Sequence, residues 1–387
     1  MPKHHQSSAQ FNVRMHPRNP YSAPINIAEL ARQFPDVCHH VISRLPNGRV
    51  VYDWHAPGAT YAVTRALLKR DFALDWQQPL HHLCPPVPGR LNYLLWLEDL
   101  VLQDAAAAAP TSVCVADIGT GASAIFPLLG ARRFGWSFVG LDSSAEALEH
   151  AGANVQRNCL QHLVSLRLVP HDGNVADALA SNPNITHTVC NPPFFSASSS
   201  SAWRQRTDAG GGAGGGKVAC AAVECELYTE GGEVQFMGNI IQQSAASACR
   251  HHVRWFTCMV GIKADLKQLK RMCSAAGAAH VRTTTFFQGH TLRWGLAWSF
   301  LQGAERAPAA PISPSTLSPS PAKRALEQDG READDDASGE LGLAHDMRAP
   351  APPAKRTLSR DAALEHDLQP SACPPPPPGA SSSSSGS

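Results

Sequence analysis

Four residues, Asn191, Pro192, Pro193 and Phe194, directly follow an apolar run that is typical of a buried strand. The two prolines restrict the backbone to an extended turn, which would aim the Asn191 amide and the Pro192 carbonyl in one direction. Two such acceptors can bind both hydrogens of a planar amino group, while the Phe194 ring stacks on the attached ring. A turn that only closes the strand is the structural alternative.

The chemistry that this turn favours is methylation of an amino group. Neither acceptor is a strong base, which suits an exocyclic amine whose lone pair is delocalised into a ring. Binding that localises this pair makes the amine a nucleophile toward a sulfonium methyl group. The motif alone leaves adenine, cytosine and glutamine open as methyl acceptors.

A second group of residues, Asp117, Gly119, Thr120 and Gly121, follows another apolar run. The glycines let the chain turn tightly close to a ligand, and the helix predicted after them points its N-terminal amides at the same place. Asp142 closes the next predicted strand, where a carboxylate can accept both hydroxyls of a ribose. Together they predict a nucleoside site; a turn that needs glycine for geometry alone is the alternative.

The nucleoside is not predicted to be a dinucleotide, because Ala124 occupies the third glycine position of that fingerprint. Asp117 precedes the glycines, and an acidic residue there suits a cofactor with a cationic amino-acid end, such as S-adenosylmethionine. The Asp-x-Gly-x-Gly spacing resembles the first motif of the seven-stranded methyltransferases.

These motifs need a sheet that brings strand ends together. Apolar strands alternate with helical segments, which indicates an α/β fold with a doubly wound parallel sheet covered on both faces. The two final strands are separated by residues 288–291, too few for a crossover, so they must pair antiparallel. The predicted strands are 113–118, 137–141, 164–169, 186–190, 253–260, 281–287 and 292–300.

Apolar periodicity predicts the helices. Ser143, followed three residues later by Glu146, predicts a capping box at one helix start. A helix beginning near Arg90 would, on spacing alone, expose the Arg90 side chain. The predicted helices are 27–34, 58–71, the one from Arg90, 122–133, 143–158, 233–250 and 265–276.

Composition divides the 387-residue chain into three parts. Residues 1–85 form an N-terminal extension, and residues 86–302 form the methyltransferase domain. A Ser/Gly-rich insertion at 196–229, including the glycine stretch 209–216, is interpreted as a lid over the site. Residues 303–387 are rich in Ala, Pro, Ser and charge, which predicts a disordered tail.

The net charge of +1 is the sum of a mildly basic folded part and an acidic tail, and the basic part permits a nucleic-acid partner. Eleven scattered cysteines and no recognisable signal or spanning segment predict a reducing compartment, the nucleus, the cytoplasm or both, and no membrane partner. Eighteen histidines include four adjacent pairs, but no ligand spacing is visible, so no metal site is predicted.

From Met15 to Phe300 the chain resembles the methyltransferase-like protein 16 family of RNA adenine-N6 methyltransferases. That family is itself similar to the bacterial large-subunit ribosomal RNA adenine-N6 methyltransferases. Enzymes that methylate protein glutamine with an NPPY motif lack the flanking pieces. The matching pieces are MHPRNPY, LLKRDF, VPGRLNYLLWLEDL, DIGTGASAIFPLLGA, NPPFF, EGGEVQF and QGHTLRWGLAWSF.

The resemblance implies roles for individual residues. It implies cofactor contacts at Arg90, Gly119, Asp142 and Asn191, with Arg90 meeting the cofactor carboxylate. It implies that Asn191 to Phe194 form the catalytic tetrad. It also implies that the N-terminal extension 1–85 binds RNA, with RNA contacts near Arg18, in residues 200–220, in 261–263 and in 288–294. The specific side chains are Arg18, Arg204, Arg206, Lys263, Gln288, His290 and Arg293.

Two segments depart from the family pattern. The glycine-rich stretch 209–216 replaces a basic, proline-rich insertion and carries fewer arginines. In the loop 171–173, Asp172 stands where the family has a lysine. If that lysine restrains cofactor binding in relatives, the control is missing or altered here.

The sequence therefore predicts an S-adenosylmethionine-dependent RNA adenine-N6 methyltransferase. We expect a structured RNA as partner, the spliceosomal U6 RNA first and ribosomal RNA second, and the oligomeric state stays open. A non-catalytic RNA-binding module that keeps a methyltransferase shell is the alternative from another class. A DNA or protein methyltransferase is chemically allowed but lacks the flanking family motifs.

Overall fold

The computed structural model describes residues 15–105, 112–170, 174–193, 195–196, 228–288 and 291–302. The chain divides into two compact units, 1–331 and 332–387, and the second lies wholly outside the described residues. Several predicted features also lie outside them: Phe194, Arg204, Arg206, His290, the loop 171–173, most of the insertion 196–229, and the tail 303–387.

The central strands form the expected α/β sheet. Strands β5, β4, β3 and β6 are parallel and neighbours in that order. Strand β11 runs antiparallel to both β9 and β10, which confirms the predicted antiparallel closure. The strands are β1 (Val41–Arg44), β2 (Val50–Tyr52), β3 (Cys114–Ile118), β4 (Ser137–Asp142), β5 (Val164–Leu168), β6 (His187–Cys190), β7 (Phe195–Ser196), β8 (Tyr228–Thr229), β9 (Phe256–Val260), β10 (His280–Gln288) and β11 (Thr291–Ser299).

Helices cover both faces of this sheet. The helix expected from Arg90 begins three residues earlier. A proline is tolerated in its first turn, because the backbone N–H that proline lacks would have no partner in the helix there. The α-helices are α1 (Ile27–Gln33), α2 (Pro35–Cys38), α3 (Ala59–Phe72), α4 (Val87–Ala105), α5 (Ile125–Phe134), α6 (Ala145–Arg157), α7 (Ala176–Ala180), α8 (Gly232–Ala246) and α9 (Lys263–Ala275).

Two details differ from the sequence expectation. Ser144, not Ser143, caps α6: its hydroxyl accepts the Ala147 N–H at 3.1 Å, so Glu146 is one position too early for a capping box. The hairpin β1–β2 was not predicted, because both strands are short and mostly exposed. Its signal was present in the Asn47-Gly48 turn, where Gly48 has a φ of 78°.

Two hydrophobic cores lie on opposite faces of the sheet. On one face, α3, α4 and α5 pack on β3 and β4, together with Met15 and Tyr21 from the N-terminal segment. On the other, α7, α8 and α9 cover Phe256 and Trp298. A Cβ at Gly130 would overlap the Phe138 ring, so this glycine lets α5 approach β4 closely. Among the described helices, none is long and apolar enough to cross a membrane.

Candidate active site

The two chemistry-bearing turns meet at one edge of the sheet. Strands β3 and β6 are parallel neighbours in which Ile118 pairs with Cys190. The turn that begins at Gly119 therefore lies beside the turn that begins at Asn191. Strand β4 flanks β3 on its other side and ends at Asp142. The sheet thus brings the predicted cofactor motif and the predicted catalytic motif together.

The glycine turn has the geometry that requires glycine. Gly119 and Gly121 have φ values of 76° and 62°, in the left-handed region that favours glycine. The Gly121 N–H donates to one oxygen of Asp142 at 2.8 Å, and the Ser144 N–H donates to the other at 2.9 Å. These bonds orient the Asp142 carboxylate. Each oxygen keeps a lone pair with which it can accept a ribose hydroxyl.

Asp117 is the most perturbed carboxyl group of the site. It is 1% exposed, and neither carboxylate oxygen has a hydrogen-bond partner among the described residues. Burial raises the pKa of Asp117 to about 7. The nearby Thr120 hydroxyl and the charge of Arg90 lower the pKa of Asp117, whereas the charge of Asp142 raises it further. The Thr120 hydroxyl does not meet hydrogen-bond geometry. Among the described residues, the Asp117 side chain therefore has no cation bonded to it, and Arg90 acts on it only through its charge.

Arg90 is buried, at 7% exposure, so the solvated position expected from helical spacing is wrong. Its guanidinium donates to the Met259 sulfur at 3.3 Å and lies 5.7 Å from the centre of the Phe126 ring. Burial and the charge of Arg293 lower the pKa of Arg90 to about 10, so it remains a cation at neutral pH. The tertiary contacts of α4, not its periodicity, decide this burial.

The Asn191 turn carries one buried side-chain acceptor. The Asn191 Oδ1 atom is buried without a hydrogen-bond partner among the described residues, and Pro192 is buried. Phe194 lies outside the described residues, so its stacking role stays a prediction. An unpartnered amide oxygen at this position is available to a donor on a ligand.

The site fits S-adenosylmethionine. Buried acceptors without partners cost free energy, about 1–3 kcal/mol each, unless a ligand supplies donors. Asp117, Thr120 and Asn191 all carry such acceptors. Asp117 suits the ammonium group of the cofactor's amino-acid end, and the cation Arg90 suits its carboxylate. Because the two side chains act on each other's pKa, a zwitterion bound between them would match both charges.

Sequence reasoning missed the residues that brace the glycine turn. The Trp76 indole N–H donates to the Ser123 carbonyl at 3.0 Å, and the Asn154 amide reaches the Ala122 carbonyl at 3.4 Å. Both side chains are fully buried. Asn154 also bonds both backbone groups of Gln77. No local pattern signals these contacts, because the partners are distant in sequence.

Glu233 is a further buried acid at this sheet edge. Its Oε1 accepts the Gly261 N–H at 2.7 Å, just beyond the end of β9. Its Oε2 is buried without a hydrogen-bond partner among the described residues. Burial raises the pKa of Glu233 to about 7. The EGGEVQF piece was matched to the family, but this glutamate was not singled out because a surface helix start is the ordinary place for an acidic residue.

The predicted RNA-binding residues have different surroundings. Arg18 is held by Glu98 at 2.9 Å and Asp99 at 2.7 Å on α4, with 14% of its side chain exposed. Lys263 is exposed at the first residue of α9. Their RNA contacts, like those of the undescribed Arg204, Arg206 and His290, stay predictions.

Gln288 and Arg293 lie on the β10–β11 hairpin and are partly buried. The hairpin is attached to α4 by a bond from the Asn92 amide to the Phe287 carbonyl at 3.1 Å. Arg293 is close enough to Arg90 to lower its pKa. The hairpin therefore reaches the same edge as the cofactor motif.

One histidine pair has a carboxylate neighbour that the sequence spacing did not reveal. Ligand atoms of His81, His82 and Glu146 lie within 4.8 Å of one another. The His81 and Glu146 side chains are 60% and 65% exposed. Exposure of this kind is ordinary for a solvated surface pair.

Comparison with known proteins finds RNA methyltransferases. A family model described as RNA methyltransferase matches residues 9–302. The human RNA N(6)-adenosine-methyltransferase METTL16 is 38% identical over 289 residues, which are 74% of this chain and 50% of that protein. The ribosomal RNA large subunit methyltransferase F of Desulfotalea psychrophila is 31% identical over 309 residues, 78% of this chain and 99% of that protein.

Solved structures show the same fold. The human Mettl16 catalytic domain in complex with the MAT2A 3'UTR hairpin 1 superposes with a TM-score of 0.64 at 36% identity, covering 77% of this chain and 99% of that one. The human METTL16 N-terminal domain in complex with SAH gives 0.60 at 36% identity, with 74% and 99% covered. This chain spans about half the length of the curated animal relatives it matches. By the extent of the family match and the near-complete coverage of the bacterial relative, the chain belongs to this family of RNA methyltransferases.

Proposed function

We propose that this protein is an S-adenosylmethionine-dependent RNA adenine-N6 methyltransferase. The observation that carries the proposal is the buried amide oxygen of Asn191 beside the buried carboxylate of Asp117, both without a hydrogen-bond partner in the part of the chain that the structure describes. An acceptor for an amine thus stands next to an acceptor for a cationic cofactor. The names of the relatives, an RNA N(6)-adenosine-methyltransferase and a ribosomal RNA methyltransferase, support adenine in RNA as the target.

Each residue of the site has a separate role. When bound, S-adenosylmethionine supplies an electrophilic methyl group on a sulfonium. Asp117 and Arg90 bind opposite charges at its amino-acid end, and the oriented carboxylate of Asp142 accepts hydroxyls of its ribose. Because both Gly119 and Gly121 keep the backbone close to this place, the reacting group is held against the Asn191 turn.

The Asn191 turn orients the acceptor. Asn191 Oδ1 and the Pro192 carbonyl each accept one hydrogen of the adenine amino group, which turns the nitrogen lone pair toward the methyl group. The bond from the amine nitrogen to the methyl carbon would form as the bond from sulfur to that carbon breaks, and the extra amine proton would then pass to water, because neither acceptor is a strong base. Phe194 is proposed to stack on the adenine ring. The adenine must leave its own base stack to enter the pocket.

We propose structured RNA as the substrate, with spliceosomal U6 RNA as the first candidate. The resemblance to the methyltransferase-like protein 16 family favours U6, and relatives solved with RNA hairpins support a folded RNA. Ribosomal RNA is the second candidate, because the bacterial relative is matched along 99% of its length. A U6 substrate would imply that the protein works in the nucleus.

The test is methyl transfer from labelled cofactor to U6 RNA, total ribosomal RNA and DNA, followed by nuclease digestion. We expect N6-methyladenosine from U6 RNA, and at least about 100-fold less with Asn191→Ala. Asn184→Ala, an exposed asparagine that precedes β6, is the matched control and should keep wild-type activity. Product from ribosomal RNA alone would select the second candidate.

Two results would contradict the proposal. One is that the wild-type protein labels DNA, or that it labels no nucleic acid at all. The other is equal labelling by wild type and Asn191→Ala, which would remove Asn191 from the chemistry.

A further inference from the structure

The hydrogen-bond ladder between strands β6 and β9 is interrupted near the edge that carries the Asn191 turn. The Thr188 N–H donates to the Trp255 carbonyl at 3.0 Å, as a parallel ladder requires. The next two ladder bonds would run from Thr257 N–H to Thr188 C=O and from Cys190 N–H to Thr257 C=O. Instead the Thr257 N–H donates to the Thr188 hydroxyl at 3.1 Å. The pairing of β6 with β9 stops there, which leaves the described sheet in two parts.

The hydroxyl of Tyr93 occupies the opening. The Cys190 N–H donates to the Tyr93 oxygen at 3.2 Å, and the Tyr93 hydroxyl lies 2.7 Å from the Thr257 hydroxyl. The Thr257 hydroxyl donates to the Thr188 carbonyl at 2.6 Å. Because Thr257 has only one hydroxyl proton, the Tyr93 hydroxyl must be the donor to Thr257. A directed chain therefore runs from Cys190 through Tyr93 and Thr257 to Thr188.

Tyr93 is well placed to hold this position. Its side chain is fully buried, and its ring contacts Phe126 and Phe286 with centroid distances of 5.3 and 5.5 Å. Burial raises the pKa of Tyr93 well above its ordinary value, so its hydroxyl keeps the proton that it donates. Tyr93 also lies one helical turn after Arg90 on α4. One turn of one helix thus carries both the cation whose charge acts on Asp117 and the hydroxyl that binds the catalytic strand.

We propose that Tyr93 and Thr257 are positioning residues for the Asn191 turn. They fix the last amide of β6, one residue before Asn191, and so set the direction in which the Asn191 turn leaves the strand. This proposal rests on the proposed methyl transfer. Transfer is sensitive to alignment, since a displacement of about 1 Å can lower its rate by about 100-fold.

The test compares three variants with one control. Tyr93→Phe removes the phenol oxygen, Thr257→Val removes the second hydroxyl at constant shape, and Thr257→Ser keeps that hydroxyl. Ser244→Ala is the control, because the Ser244 hydroxyl is also buried, bonds a carbonyl and accepts from the Trp298 indole, but lies on α8 away from the turn.

We expect Tyr93→Phe and Thr257→Val to lower kcat for RNA methylation by about 10- to 100-fold, with KM for RNA and the Kd of S-adenosylhomocysteine within about twofold. Thr257→Ser should restore at least about half of kcat, and Ser244→Ala should keep it. Nuclear magnetic resonance should show faster hydrogen exchange at the Cys190 amide in Tyr93→Phe and Thr257→Val only.

The inference is overturned if kcat is unchanged in Tyr93→Phe, if Thr257→Ser fails to rescue, or if Ser244→Ala loses as much activity as Thr257→Val. If Tyr93→Phe does not fold, the Thr257 pair decides by the same criteria. Inactivity of the wild-type protein on every RNA would count against the proposed function, whereas the exchange rate of the Cys190 amide would still test the hydrogen-bond chain.

Discussion

Asp117 and Asn191 stand at the same edge of two adjacent parallel strands, and both carry buried oxygen acceptors without a partner among the described residues. One is an acid whose pKa burial has raised to about 7, and the other is a neutral amide. The first suits a cation and the second suits an amine. This pairing places a cofactor charge and a methyl acceptor next to each other.

Cofactor affinity should depend on pH through Asp117. Its pKa of about 7 means that the free protein holds a proton there below about pH 7. A cationic amino group binds the ionised carboxylate, so binding releases that proton, and affinity should fall by up to about tenfold for each pH unit below about 7. Calorimetric titration with S-adenosylhomocysteine in two buffers of different ionisation enthalpy measures both the affinity and the released proton.

Asp117→Asn should bind the cofactor more weakly and without this pH dependence. Asp177→Asn, at an exposed position on α7, is the control and should keep the wild-type profile. An identical pH profile for wild type and Asp117→Asn would show that another group titrates.

Because of Glu233, the free energy of unfolding of the protein should decrease as the pH rises. Its folded pKa of about 7 lies above the ordinary value of 4.5, so the stability it provides is fully present below 4.5 and is lost as pH rises through about 7. Glu233→Gln keeps an oxygen for the Gly261 N–H and removes the titration. The free energy of unfolding of the variant should therefore rise relative to that of wild type as the pH increases, by up to about 3 kcal/mol at about pH 8.

Urea unfolding at a series of pH values measures this difference. Glu149→Gln, an exposed glutamate on α6, should show a constant difference from wild type. A Glu233→Gln difference that is equally independent of pH would contradict the raised pKa.

Arg18 should matter more for stability than for RNA affinity. Its guanidinium bonds two carboxylates, and burial already raises the pKa of Glu98. Arg18→Ala removes this partner from Glu98 and leaves Asp99 with His16 alone, which should lower the free energy of unfolding by about 1–3 kcal/mol. Thermal unfolding measures this loss, and filter binding below the transition should give an RNA affinity within about twofold of wild type.

Arg65→Ala breaks an exposed pair with Asp36 and should lower the free energy of unfolding by less than about 1 kcal/mol. Normal stability of Arg18→Ala combined with a large loss of RNA affinity would instead assign Arg18 to the RNA contact that the family resemblance implies.

Lys263 should contribute to RNA binding through charge. It is exposed at the start of α9, directly after the turn that Glu233 holds. Lys263→Ala should weaken binding of a structured RNA and reduce the slope of log affinity against log salt by about 1, because one phosphate contact is lost. Lys267→Ala, one turn further along the same helix, should leave the slope unchanged. Equal slopes for wild type and Lys263→Ala would exclude the contact.

Local chemistry explains what the sequence could predict. Pro192 and Pro193 restrict their own backbone, and Gly119 and Gly121 have the positive φ values that only glycine adopts freely. Apolar strands and periodic helices indicate their own type within a window of a few residues. The doubly wound sheet, its antiparallel closure and the meeting of the two motifs follow from these signals.

Long-range packing decided the rest. Spacing on α4 placed Arg90 in solvent, but contacts with Met259 and Phe126 bury it. The hydrogen-bond chain through Tyr93 joins residues 97 and 164 positions apart. Burial and pKa depend on which groups surround a side chain in three dimensions, and no sequence window contains those groups. The sequence by itself therefore determined the motifs and the fold class. The tertiary structure alone decided which buried groups orient the residues of the site and set their pKa values.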